Sequence, residues 1–97
     1  MSTQTLGIVH LDPQEVRWFT MDWSRHLAAT ETIAGSSWTV PIGLTVVAAG
    51  VDMGLQKTTV MLAGGVSDTD YVCTNSILTT TSGETLQRSG TVRVRDL

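Results

Sequence analysis

The chain has 97 residues, a formal charge of −3 and only 15% charged side chains. That balance leaves no basic field for nucleic acid and no polybasic patch for a membrane surface. A lone cysteine, Cys73, leaves no internal disulfide and no multi-cysteine zinc site, and it fits folding in a reducing compartment. No apolar run reaches the roughly 18 residues a membrane span needs. The first residues, Met-Ser-Thr-Gln-Thr, show no secretory signal. The length suits one domain with a modest core margin, and richness in Thr, Val, Gly and Ser is a β composition.

In chain order, residues 1–5 are polar and expected to fray. Residues 6–11 read as an edge strand or an extended arm, ended by Asp12-Pro13, because proline lacks the N–H a ladder needs. The stretch 16–24, Val-Arg-Trp-Phe-Thr-Met-Asp-Trp-Ser, holds two of the three tryptophans and the only phenylalanine. At period two, Phe19, Met21 and Trp23 share one face and Trp18, Thr20 and Asp22 the other. The first face is large and apolar, so a second sheet must cover it. Residues 25–30 are the one place that tolerates a helical turn, with Ser24 as its cap and Leu27 tucked under the end of the fold.

A strand over 32–40 carries Trp38 and Val40 on its apolar face, with Gly35 marking a bulge and Pro41 a stop. Ile42-Gly43 turns the chain into 44–49, where Leu44 and Val46 face in. Residues 50–56 read as a loop, unusually apolar at Val51, Met53 and Leu55. The strand 57–63 points Val60 and Leu62 inward and is broken by Gly64-Gly65. The strand 70–79 sets Tyr71, Cys73, Asn75 and Ile77 on one side. A hairpin turn around Ser82-Gly83 leads to 85–95, with Val92 and Val94 inward and Arg93 and Arg95 outward.

This spacing predicts an all-β, immunoglobulin-like β-sandwich of about seven antiparallel strands with at most one short helical turn. It forms a single domain over 1–97, with 1–11 as an extended N-terminal arm. Tyr71, two residues before Cys73, fits the tyrosine corner of such domains, and without a partner cysteine the core closes by packing alone. The expected core is Phe19, Met21, Trp23, Trp38, Val60, Leu62, Tyr71, Cys73, Ile77, Val92 and Val94.

No catalytic constellation emerges. His10 and His26 have Asp12, Asp22 and Glu31 as the nearest third ligands, with no recognisable metal spacing. Cys73 on an inward face reads as a buried thiol rather than a nucleophile. Nothing pairs Asp22, Glu31 or Asp52 for glycoside chemistry, and Gly64-Gly65 precedes no helix, so no phosphate loop forms. Asp22, in a strand that disfavours aspartate, reads as an acceptor at the turn into Ser24, with a ligand contact as the other reading. The chain is expected to be no enzyme, with no cofactor and no metal.

From Asp12-Pro13, Val16, Phe19 and Asp22-Trp23-Ser24 with Leu27, the chain resembles the fiber–tail adaptor proteins of tailed bacteriophages. The resemblance continues through Glu31-Thr32-Ile33, Ser36-Ser37-Trp38-Thr39-Val40-Pro41 and Gly43-Leu44-Thr45. It runs on through 58–65, 71–75 with Cys73 in a valine position, and Arg88-Ser89 before the last strand. It spans nearly everything from Asp12 onward. Two positions depart from the pattern: Trp18 replaces a small polar residue, and Gly90 replaces an apolar one, which predicts a loosened or bulged last strand. The resemblance implies an immunoglobulin-like structural part of a phage virion, in the tail region, made in the host cytoplasm, homo-oligomeric and bound to other tail, neck or fiber components.

Two functions stand. One is assembly, docking between tail and fiber or at the neck. The other is a carbohydrate- or host-surface-binding module, which needs aromatics gathered in a groove beside polar groups. Too few aromatics remain outside the core for a sugar platform, which favours assembly. Candidate contact residues are Leu6, Ile8, Val9 and Leu11 in the arm, Trp18 on the outward face of 16–24, and Val51, Met53 and Leu55 at one end. Trp18 either meets a partner or lies under the arm or a loop. An arm pairing with a neighbour's sheet edge in a ring would satisfy its backbone groups.

Overall fold

The computed structural model describes residues 7–27, 30–52, 56–81 and 83–96, and the backbone of 4–5. Leu6, Met53, Leu55, Ala28 and Ser82 lie outside the described residues. The strands are β1 (Gln4–Thr5), β2 (Ile8–Leu11), β3 (Val16–Asp22), β4 (Ile33–Thr39), β5 (Leu44–Asp52), β6 (Lys57–Gly64), β7 (Thr69–Thr79) and β8 (Thr85–Val94). Two four-stranded sheets face each other, in the orders β1-β3-β6-β5 and β2-β8-β7-β4. The fold is an all-β sandwich, with no helix among the described residues. Residues 24–27 form a turn in which the His26 N–H donates to the Trp23 carbonyl at 2.9 Å.

The alternation of β3, β6, β7 and β8 builds the core. Phe19, Met21, Trp23, Val60, Leu62, Tyr71, Cys73, Ile77, Val92 and Val94 are all buried, joined by Val9, Leu11, Ile33 and Leu44. Leu27 packs partly buried against them. Antiparallel pairing sets Phe19 opposite Val60 and Tyr71 opposite Val92, so each pair shares one face of its sheet. The N-terminal segment divides between the sheets. β1 runs parallel to β3 and β2 runs parallel to β8, so these two pairings depart from the antiparallel expectation. The crossing point is Gly7, whose carbonyl accepts from Thr91 N–H at 2.7 Å.

Several local readings change in three dimensions. The predicted loop after 49 continues as strand through Asp52, because Gly50, Val51 and Asp52 pair with Thr59, Thr58 and Lys57. Gly90 opens no bulge: it sits buried in a regular ladder opposite Cys73. The bulge expected at Gly35 is present as a register shift between Ile33 and Gly35. Trp38, expected in the core, is only half-buried, because β4 is an edge strand and its tryptophan fills the rim of the sandwich. Val46, expected to face in, lies opposite buried Leu62 yet stays 37% exposed, because β5 is also an edge.

A buried amide ties the layers together. Asn75 Oδ1 accepts from Trp23 Nε1 at 2.9 Å and from Thr58 Oγ1 at 2.5 Å. Its Nδ2 donates to Ser36 Oγ and to the Ser37 carbonyl, each at 2.9 Å. Two donors and two lone pairs are thus all used, which is what permits a fully buried asparagine. At the β6–β7 corner the Val66 N–H donates to the Tyr71 hydroxyl at 2.9 Å. Gly65 there has φ of 93°, and a Cβ would stand 2.6 Å from a Val94 methyl, so only glycine lets the corner close over the tyrosine ring.

Candidate interaction surface

The groups that carry chemistry are dispersed. Cys73 is fully buried, and burial pushes its thiol up to about 11, far from a reactive thiolate. His10 is exposed on β2, and His26 stands edge-on to Trp23 with ring centroids 6.1 Å apart. Among the described residues no three His, Cys, Asp or Glu gather as a metal would require. Asp22 works at the turn: its Oδ1 accepts the Ser24 N–H at 2.9 Å. The Ser24 side chain and backbone hydrogen bonds hold its carboxyl below the usual carboxylate value. Glu31 is likewise structural, its Oε1 accepting the Thr81 N–H at 2.7 Å and so bridging the β7–β8 turn to the segment before β4.

What the surface offers is apolar area. On the outer face of the first sheet, Trp18, Met61 and Ala48 occupy one cross-strand row, since Met61 pairs with both neighbours. All three are half-buried, and Val16 on the same face of β3 is exposed. Trp18 is therefore an outward, half-buried aromatic. On the outer face of the second sheet, Ile8, Thr91 and Val72 form a similar row, with Ile8 and Val72 exposed.

The predicted contact residues separate into groups. Ile8, Trp18 and Val51 reach solvent. Val9 and Leu11 do not: they are 4% and 0% exposed, because β2 pairs with β8 and points both inward. Residues 8–11 are thus a strand of the sandwich whose inward half is core. Leu6, Met53 and Leu55 fall outside the described residues. Of the aromatics, Trp23, Phe19 and Tyr71 are buried, which leaves Trp18 and Trp38 near the surface on different sheets.

The sequence reading missed two features. Asn75 falls on the inward side of its strand, and a polar side chain at an inward position implies a set of partners. The second is the run 33–51, which holds no Asp, Glu, Lys, Arg or His. That run supplies both β4 and β5, which are end strands of their sheets among the described residues, and the turn between them with fully exposed Ile42.

No curated protein and no solved structure matches the chain. A family model described as "Podophage GP4 fiber-tail adaptor protein gp77" matches residues 11–93. The match begins at buried Leu11 and runs into β8, so it takes in nearly all of both sheets. The chain therefore belongs to the podophage fiber-tail adaptor family.

Proposed function

We propose that the protein is a non-catalytic structural part of a tailed-phage virion, an immunoglobulin-like module that docks in the tail through protein–protein contacts. Its place is between tail and fiber or at the neck, beside other virion proteins. The family supports the adaptor role. The strand orders support the immunoglobulin-like reading: β1-β3-β6-β5 and β8-β7-β4 correspond to the two sheets of a constant-type domain, with the first strand divided. The hydrogen bond from the Val66 N–H to the Tyr71 hydroxyl is of the tyrosine-corner type.

The observation that carries the docking surface is the Trp18–Met61–Ala48 row with exposed Val16. An aromatic on the solvent face of a strand, flanked by apolar neighbours, has the composition of an interface centre. Deleting the N-terminal segment is a poor test, because it removes β2 and the core residues Val9 and Leu11. The informative variants are Trp18→Ser and Met61→Ser, produced in infected cells in place of the wild-type protein. Folded variant absent from purified particles supports this surface; normal incorporation of both moves docking elsewhere.

A further inference from the structure

We propose that the flank formed by β4 and β5 is a self-association surface, on which a second copy seats its own β5 antiparallel across a two-fold axis. Among the described residues, no strand pairs with the outer side of β5 or β4. Val46, Ala49 and Val51 lie opposite Leu62, Val60 and Thr58, all fully buried, and so belong to the inner face. Yet Val46 and Val51 are 37% and 38% exposed and Ala49 is exposed, so the inner face is uncovered along this side. A strand added beyond β5 covers it.

The flank itself selects the occupant. No charged residue lies between Glu31 and Asp52, so a charge on the incoming segment would be buried without a partner. Natural edges are commonly guarded by lysine, and this one has none over that length. The chain's own β5 is the matching segment: Thr45, Val46, Val47 and Val51 are β-branched, and no charge occurs before Asp52. Asp52 has its cross-strand neighbour Lys57 in its own copy. Two-fold pairing lets one contact complete both edges, with Val51 of each copy set against Ala49 of the other. The register shift between Val46 and Ala48 confines regular pairing to residues 48–52. Centred on Gly50, the pairing sets Asp52 of one copy opposite Ala48 of the other and keeps the two carboxylates at opposite ends.

This deepens the adaptor reading by adding a contact between copies, and its test is separate from particle incorporation. Sedimentation velocity of the full chain, from low to high micromolar concentration, is expected to show a reversible dimer. Ala49→Lys and Val51→Lys, both at exposed positions of β5, are expected to abolish it while keeping the wild-type circular dichroism. Val72→Lys, exposed on the other sheet, is expected to leave the dimer intact. A wild-type monomer at every concentration overturns the proposal, leaves the flank to a strand of a different virion protein, and leaves the adaptor reading standing. A dimer that survives both β5 variants, or is lost equally in Val72→Lys, overturns it as well.

Discussion

The two flanks of the sandwich carry similar inner-face residues with opposite outcomes. On one side β2 closes the gap, and Val9 and Leu11 are 4% and 0% exposed. On the other, Val46 and Val51 also belong to the inner face but stay more than a third exposed, although β2 and β5 are both end strands of their sheets. Side-chain chemistry does not separate these residues. The difference teaches that closure is a property of the neighbouring strand: a short N-terminal segment, divided between the sheets, is enough to seal one flank. The other flank is left neutral and uncovered, and bulges in β4 and β5 are its main interruption to regular pairing.

The largest expected effect lies between the flanks. Trp23 is buried at the centre and its indole donates to Asn75, so Trp23→Ala should cost about 3–5 kcal/mol, enough to unfold a domain with so small a margin. Equilibrium denaturation measures it, and a variant that melts at the wild-type temperature would contradict the register of β3. Next comes the contrast itself. Leu11→Ala on the sealed flank should cost about 2–5 kcal/mol, and Val46→Ala on the open flank within about 0.5 kcal/mol for the monomer. Equal costs in urea denaturation at low protein concentration would mean that the flanks are not different in kind.

Two smaller effects sharpen the picture inside and at the end of the sandwich. Cys73 is expected to resist thiol reagents in the native state and to react fast in denaturant. Its raised thiol also means that the unfolded chain ionises first on going alkaline. Stability is therefore lost as pH rises above the ordinary thiol range towards about 11. Cys73→Val should remove that part of the alkaline decline; rapid labelling of folded protein would contradict the burial. The smallest effect is at Asp22, whose carboxyl is held down by the Ser24 hydrogen bonds. A lowered carboxyl stabilises fully above its unfolded value of 3.8 and loses that contribution as pH falls through the folded value. The melting-temperature advantage of wild type over Asp22→Asn should therefore shrink between about pH 5 and about pH 2. An advantage independent of pH would show that the Ser24 contact is indifferent to charge.

Much of the sandwich was legible from local pattern. In β3, β6, β7 and β8 the period-two alternation is dictated by backbone geometry, so Phe19, Val60, Cys73 and Val92 could be placed inward without knowing what they meet. The corner at Tyr71 and the turns at Gly43, Gly65 and Gly83 were likewise legible, because the positive φ that each glycine adopts is a local demand. Only the tertiary structure decided how far each end strand is covered, and that is where the readings at Val9, Leu11, Trp38 and Val46 changed. Alternation says which side of a strand a residue takes. Whether that side is covered depends on a neighbour far away in the chain, as with Leu11 beside Val94 and Asn75 reaching Trp23, Thr58, Ser36 and Ser37 at once. Burial is a sum over such distant partners, and no periodicity in a single strand encodes it.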